Sequence, residues 1–234
     1  MELTREDICK KQARRTGPFF SKLTAPSLED FSAMEYPSSY AANVVLFTEK
    51  EPVSALFVIL EGEVRLSINS KGGRRLSLRI ATKGDIIGLS SALSGTPYDM
   101  TADTLYPSKI ARIERREFLG FLARHPDATV SVTEELGRQI TLACSQLHTL
   151  GLSCSAHEKL ARLLLEWSDR GQAAGSGSRL RFSLTHEEIG SFIGASRETV
   201  TRTLANFKTR RLVAFQGSMM TITNRAALEH YAHA

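Results

Sequence analysis

The chain has 234 residues, 42% of them hydrophobic, with 30 Lys/Arg against 25 Asp/Glu and a formal charge of +5. That length suits two small domains with real cores, and the mild basic excess permits an acidic partner without demanding one. The longest uninterrupted apolar run, Ala55 to Leu60, has six residues, far below a membrane span. The charged opening MELTREDICKKQARR lacks the apolar core of a secretory signal, so the expectation is a cytoplasmic protein with no membrane partner.

In chain order, residues 1–17 read as a polar arm, and Ser27 to Met34 as a short helix capped by Ser27. From Ala41 to Ile113 the pattern becomes one of short strands. Val64, Leu66 and Ile68 alternate, as do Leu76, Leu78 and Ile80, with Lys71-Gly72-Gly73 between them as a hairpin turn. Gly62, Gly84 and Gly88 punctuate the series, which predicts a β-barrel or roll. A long helix follows over Asp127 to Leu152. Leu136, Ile140, Ala143, Leu147, Leu150 and Cys154 step alternately by 4 and 3, a heptad seam that predicts a parallel coiled-coil homodimer. A helix packed on its own β-domain needs a similar stripe and is the competing reading. Ser153-Cys154-Ser155 interrupts the run. Ser155 and Glu158 have capping-box spacing, which starts a new helix carrying Leu160 to Trp167. Gly171 to Ser178, GQAAGSGS, reads as a flexible loop.

The most informative stretch is Leu184 to Leu212. Thr185 and Glu188 form a second capping box, Ile189 and Ile193 turn their helix inward, Gly190 leaves room for a neighbour, and Gly194 suits a turn. Ser196 caps the next helix. On that helix Arg197, Glu198, Thr201 and Arg202 share one face, while Val200, Leu204 and Phe207 form a buried stripe behind it. A rigid helix with this front suits the DNA major groove, where Arg forks onto guanine and Glu accepts from cytosine. LVAFQGSMMTIT then alternates around Gln216-Gly217-Ser218 as a hairpin, the wing of a winged helix. Seven basic and three acidic residues lie between Arg179 and Arg211. An ordinary helical hairpin with a solvated charged face is the plainer reading, and the combination of caps, glycines, stripes and hairpin argues against it. Double-stranded DNA is the expected partner. With no Ser/His/Asp order, metal-ligand spacing or phosphate loop, an enzyme is not expected.

The order of elements, with SRETVTR on the recognition helix and TKGDIIG at Thr82 to Gly88, resembles the CRP/FNR family of bacterial transcription regulators. The resemblance implies an α+β fold: an N-terminal β-roll (a cyclic-nucleotide-binding-like jelly roll), a long dimerisation helix and a C-terminal winged helix-turn-helix. The expected boundaries are 1–17 for the arm, 18–126 for the effector-sensing roll, 127–155 for the dimerisation helix and hinge, and 156–234 for the DNA-binding domain. It further implies a homodimer, contact with RNA polymerase, and a signal passed as a rigid-body shift about Ser153 to Ser155. Arg197, Glu198 and Arg202 match the residues that read a TGTGA-type half-site, so a palindromic operator is expected. Thr185, Ser196, Thr199 and Gln216 would contact phosphates and fix register.

The chain departs from the cyclic-nucleotide branch at its phosphate site. Leu89 stands after Gly88 where that branch has Glu, its Arg-Ser position falls at Tyr98-Asp99, and its Thr-Ser pair aligns with Cys144-Ser145. No Lys or Arg occurs between Gly84 and Lys109, whereas Asp85, Asp99 and Asp103 do. A phosphodiester there would lack a charge-assisted fork, so cyclic AMP is disfavoured, no cofactor is expected, and the effector is unknown. A cyclic-nucleotide-responsive regulator or regulatory module with an atypical phosphate site is the alternative. The candidate pocket comprises Gly88, Leu89, Ser90, Ser91, Tyr98, Asp99, Cys144 and Ser145. It would take a weakly polar effector, cradle an anion on the Ser90-Ser91 donors, or be filled by Leu89, Leu93, Tyr98 and Met100. Three cysteines (Cys9, Cys144 and Cys154) cannot complete an iron–sulfur site within one subunit, and His125 and His148 are weak haem candidates. Cys154 at the seam is a candidate redox switch, with a small buried hydrophobe the plainer reading.

Overall fold

The computed structural model describes residues 17–70, 72–73, 75–152, 155–173, 179–181, 184–217 and 219–232. Residues 1–16 of the arm with Cys9, Lys71, Ser153, Cys154, Ser218 and the end of the predicted loop lie outside the described residues, as do the side chains of His148 and Leu150. The described residues fall into two compact units divided between Leu142 and Ala143, with Arg75–Ser77 grouped with the second.

The first unit opens with a 3-10 turn at Phe20–Lys22 and helix α1, Ala25–Ala33. Strands follow as β1 Tyr36–Tyr40, β2 Val45–Phe47, β3 Ala55–Glu61, β4 Val64–Asn69, β5 Arg75–Ala81 and β6 Ile86–Ile87. Then come α2 Leu89–Ser94, β7 Thr101–Thr104, β8 Ser108–Glu114, α3 Arg115–Arg124 and the 27-residue α4, Pro126–Leu152. Two antiparallel four-stranded sheets, ordered β1-β8-β3-β6 and β2-β7-β4-β5, make the roll. The strands begin at Tyr36, earlier than the apolar pattern at Ala41 indicated. β1 is an exposed edge strand containing Pro37, which an edge tolerates and which hides the strand from a hydrophobic pattern.

β3 is buried on both faces, so it reads as a continuous apolar run rather than an alternation. Ala55, Phe57 and Ile59 enter a core with Phe47, Val64, Leu66, Ala102 and Ile110 from the other strands. Leu56 and Val58 face a second core with Phe31, Phe118, Phe121, Ala128 and Val132 from α1, α3 and α4. Phe31 is surrounded edge-on by Phe20, Phe118 and Phe121, with centroids 5.4 to 6.4 Å away.

Thr24, not Ser27, caps α1: its side chain accepts from the Ser27 backbone N–H, and Pro26 occupies the first turn, where its missing donor costs nothing. Ser27 lies buried inside the helix instead. Its hydroxyl donates to Asp127 Oδ2 at 2.7 Å and lies 3.1 Å from His125 Nδ1, while His125 Nε2 lies 2.8 Å from Asp30. Asp127 also accepts from the Thr24 backbone N–H at 2.8 Å. These bonds tie α1 to the start of α4.

The second unit contains α5 Ala156–Ala173, β9 Arg179–Arg181, α6 His186–Ile193, α7 Arg197–Thr209, β10 Val213–Gln216, β11 Met219–Ile222 and α8 Arg225–Ala232. Ser155 caps α5 by accepting from Glu158 N at 3.1 Å. The predicted loop is corrected at its start, since α5 continues through Gly171 to Ala173. β10 and β11 form the predicted hairpin, with Gln216 opposite Met219 and Gly217 at φ +59°. The alternation did not reveal β9, which pairs with β11 to complete a three-stranded sheet. Ile189, Ile193, Val200, Leu204, Phe207, Val213, Met220 and Leu228 are buried together with Leu160 and Leu164 of α5. At Gly190 a β-carbon would stand 2.5 Å from the backbone oxygen of Ala195, so only glycine allows the turn to close on α6.

Hydrogen bonds from the Thr24 backbone and then Ser27 lower the Asp127 pKa to about 2. A depressed carboxylate stabilises the fold above its unfolded pKa of about 3.9 and loses that contribution as pH falls through the folded value. Acid titration of unfolding should therefore show Asp127→Asn flatter than wild type between about pH 4 and pH 2; parallel curves would refute the linkage. Gly190→Ala should destabilise the second unit by about 1–3 kcal/mol, because a backbone oxygen must move. A chemical denaturation midpoint unchanged from wild type would contradict that contact.

Candidate nucleic-acid interface

α6 and α7 meet through a short turn. The Thr185 side chain accepts from Glu188 N, and Glu188 Oε2 accepts from Thr185 N at 2.7 Å, completing the predicted capping box. Gly194 ends α6 in the left-handed region at φ +65°. Ser196 then caps α7 by accepting from Thr199 N at 3.3 Å. The acidic Glu198 sits in the first turn and Lys208 in the last, each matched to the helix dipole.

This frame places Arg197, Glu198, Thr201 and Arg202 together on the exposed side of α7, with Val200, Leu204 and Phe207 buried opposite. Bonds from its own backbone N–H and then from the Ser196 hydroxyl hold the Glu198 carboxyl below the usual range. It is therefore a charged acceptor at neutral pH, as contact with an amino group requires. Thr201 is more constrained than its neighbours. Its hydroxyl donates to Arg197 O at 2.9 Å and lies 2.7 Å from His186 Nδ1.

Thr185 and Ser196 are exposed beside this face, Thr199 is half-buried with its hydroxyl 3.2 Å from Ser196 Oγ, and Gln216 is exposed at the end of β10. Two features were not singled out from sequence. His186 begins α6 and reaches across to Thr201, a contact that depends on how two helices cross. Lys208 and Arg211 are exposed after Arg202, and Arg210 lies over the Tyr231 ring at 5.8 Å. Arg211 adopts φ +56°, the helix-terminating conformation usually given to glycine. The RR pair in the sequence was the available signal.

In the first unit Gly88 caps α2, and Leu89 and Tyr98 are 1% and 3% exposed. Leu89 joins the helix-side core, whereas Tyr98 joins the core between the sheets. The Tyr98 ring stacks on Phe47 at 4.0 Å and its hydroxyl donates to Ala55 O at 2.6 Å. A β-carbon at Gly88 would lie 3.1 Å from that ring. Ser91 is buried with its hydroxyl donating to Pro97 O at 3.2 Å, while Ser90 and Asp99 are exposed. Cys144 and Ser145 lie on the exposed surface of α4, so Cys144 is a free, accessible thiol.

Along the predicted seam, Leu136 is half-buried and packs on the first unit's helix-side core, so this position serves its own roll. Ile140 and Leu147 are 65% and 70% exposed, and Ala143 between them is exposed.

Residues 37–125 match the cyclic nucleotide-binding domain family, and residues 158–231 match the Crp-like helix-turn-helix domain family. The chain is 28% identical to the transcriptional activatory protein AadR of Rhodopseudomonas palustris, over 79% of this chain and 76% of that protein. It is 26% identical to the nitrogen fixation regulation protein FixK of Bradyrhizobium diazoefficiens, over 97% and 94% of the two chains. Identity to a CRP-like cAMP-activated global transcriptional regulator of Mycobacterium tuberculosis is 27%, over 84% and 88%. The solved structure of FixK2 from Bradyrhizobium japonicum has the same fold, with a TM-score of 0.77 at 22% identity over 86% of this chain and 98% of that one. Among the described residues no helix is long and apolar enough to cross a membrane. With a cyclic nucleotide-binding β-roll joined to a Crp-like helix-turn-helix that presents an exposed Arg/Glu/Arg face, the chain belongs to the CRP/FNR family of DNA-binding transcription regulators.

Proposed function

We propose that the chain acts as a cytoplasmic homodimer on a palindromic operator with two TGTGA-type half-sites about one helical turn apart. The exposed row of Arg197, Glu198 and Arg202 carries this reading. Their apolar backing gives α7 a fixed face, Arg supplies the bidentate donor that guanine requires, and Glu the acceptor that cytosine requires. Thr185, Ser196, Thr199 and Gln216 surround that face with polar groups suited to phosphates and sugars. RNA polymerase is the expected downstream partner, and no catalytic role is assigned.

The dimer reading is supported by α4. Ile140, Ala143 and Leu147 form an apolar row left exposed among the described residues, and such a row on a long helix suits a second copy of itself.

The residues of the roll do not fit a cyclic nucleotide phosphate in the family's manner. Leu89 replaces the acid and is packed into a core, Tyr98 fills the space beside Gly88, and α2 carries no cation. Nearby arginines have carboxylate partners: Arg65 with Asp103 at 2.5 Å, and Arg79 and Arg138 with Asp85 at 3.3 and 3.5 Å. We therefore assign the roll no classed cofactor and favour a regulator that does not depend on cyclic AMP. Both ring nitrogens of His125 are engaged, by Ser27 and Asp30, which argues against a ligand role for that histidine. The second reading, a cyclic-nucleotide-responsive regulator with an atypical phosphate site, is favoured by the family match over residues 37–125.

Fluorescence anisotropy with a labelled TGTGA-type palindrome and a scrambled control, with and without cyclic AMP, tests both readings. Specific binding without ligand is expected; binding that appears only with cyclic AMP would establish the second reading instead. Glu198→Ala should reduce discrimination at one base pair by about 1–3 kcal/mol, and an equal loss on every sequence would remove Glu198 from base reading. Leu147→Glu should shift sedimentation from dimer to monomer, whereas an unchanged dimer would place the interface elsewhere.

A further inference from the structure

We propose that His186 is a further operator-contacting residue whose imidazole, held by Thr201 on the DNA-facing side, takes up a proton when it meets a phosphodiester oxygen, making operator binding proton-linked. This inference rests on the operator reading above. The argument begins with a proton count at Thr201. Its hydroxyl has one hydrogen and two close neighbours, Arg197 O at 2.9 Å and His186 Nδ1 at 2.7 Å. The carbonyl can only accept, so the hydroxyl donates there, as a mid-helix threonine commonly does to the carbonyl four residues back. Nδ1 must then carry the hydrogen of the second bond, which leaves Nε2 as the titrating nitrogen.

That bond fixes the ring in orientation against α7, the helix that carries Arg197 and Arg202, while His186 itself begins the helix that in this motif crosses the nucleic-acid backbone. A neutral Nε2 offers a lone pair, which a phosphodiester oxygen repels. Once protonated, it offers a charge-assisted donor and one more cation. Imidazole is the side chain that makes this change between about pH 5 and pH 8.

The charged groups around it come from three helices. On α6, Glu187 is adjacent and exposed, and Glu188 is committed to Thr185 at 2.7 Å. On α7, Arg197, Glu198 and Arg202 share the exposed side with Thr201. α5 packs on the other side of α6, with Trp167 edge-on to Phe192, and its Asp169 is bound to Arg225 at 2.7 Å. The operator's phosphates bring negative charge to this side, and negative charge favours the protonated ring.

The test is operator affinity of the full chain at about pH 6 and about pH 8, the span over which imidazole titrates, at constant ionic strength. His186→Gln and His186→Lys are compared with wild type. Wild type should bind about ten- to a hundredfold more tightly at the lower pH, as one charge-assisted bond replaces a neutral contact in each of the two half-sites. Its salt slope should steepen there by about 1.8, for one added phosphate neutralised per half-site. His186→Gln should bind at both pH values as wild type does at the higher one. His186→Lys, with a fixed charge, should approach the tighter affinity at both. Persistence of the full pH response in His186→Gln, or pH-independent binding by wild type, would overturn the inference while leaving the operator reading intact. Absence of specific binding by wild type at both pH values would overturn the operator reading and the inference with it.

Discussion

At Gly190 the backbone of α6 comes so near the following turn that a β-carbon would stand 2.5 Å from the Ala195 oxygen, and Ala195 N donates back to Gly190 O at 3.0 Å. This pair of contacts sets the path by which the chain leaves α6 and enters α7. With that path fixed, Ile189 and Ile193 of one helix and Val200, Leu204 and Phe207 of the other close over a single core. Arg197, Glu198, Thr201 and Arg202 are left outside as one row. These side chains are exposed yet positioned, and the positioning comes from backbone contact and buried apolar packing behind the helix rather than from the polar residues themselves.

The first unit solves a different problem, that of placing charges within a roll covered on both faces. β4 and β7 alternate so that Val64, Leu66 and Ala102 fill the space between the sheets, and Arg65 and Asp103 fall on the other face as a directly opposed cross-strand pair. Asp85, at the turn before β6, receives Arg79 from β5 and Arg138 from α4, and Arg138 also holds buried Glu135 at 2.6 Å. Removing either side of such a pair would strand a buried charge, whereas the intact pair is close to neutral in its net effect on stability. Of the carboxylates that made the Gly84 to Lys109 window look hostile to a phosphate, Asp85 and Asp103 are thus engaged by arginines from outside that window. Tyr98 and Leu89 occupy the remaining room with aromatic and aliphatic bulk.

α4 presents two environments along one helix. Its early turns are anchored: Asp127 to α1, Val132 in the helix-side core, Leu136 against it, and Arg138 on Asp85. Farther along, Ile140 and Leu147 are left uncovered. The heptad spacing therefore describes two environments in succession, an intramolecular face and an exposed one. Periodicity alone could not separate them, because burial against a roll and burial against a second helix select the same residue types at the same spacing.

Local patterns carried much of this protein. Capping residues, a tight-turn glycine, a helical apolar stripe and a hairpin turn act within a few residues of one another, so the helix-turn-helix and the polar face of α7 were legible at the level of single positions. The edge strand β1, the third strand β9, the Thr24 cap and the end of α5 were less legible, since exposure, a missing donor or a distant partner set them rather than hydrophobic rhythm. The His186–Thr201 bond, the Arg65–Asp103 pair and the filling of the roll by Tyr98 could be decided only in three dimensions. The sequence by itself determined where the two helices of the helix-turn-helix start and which face of α7 is polar, because those depend on short-range sterics and periodic burial. Tertiary structure alone decided which charges neutralise one another and which side chain occupies the roll's interior, because those depend on which residues far apart in the chain come within a few ångströms.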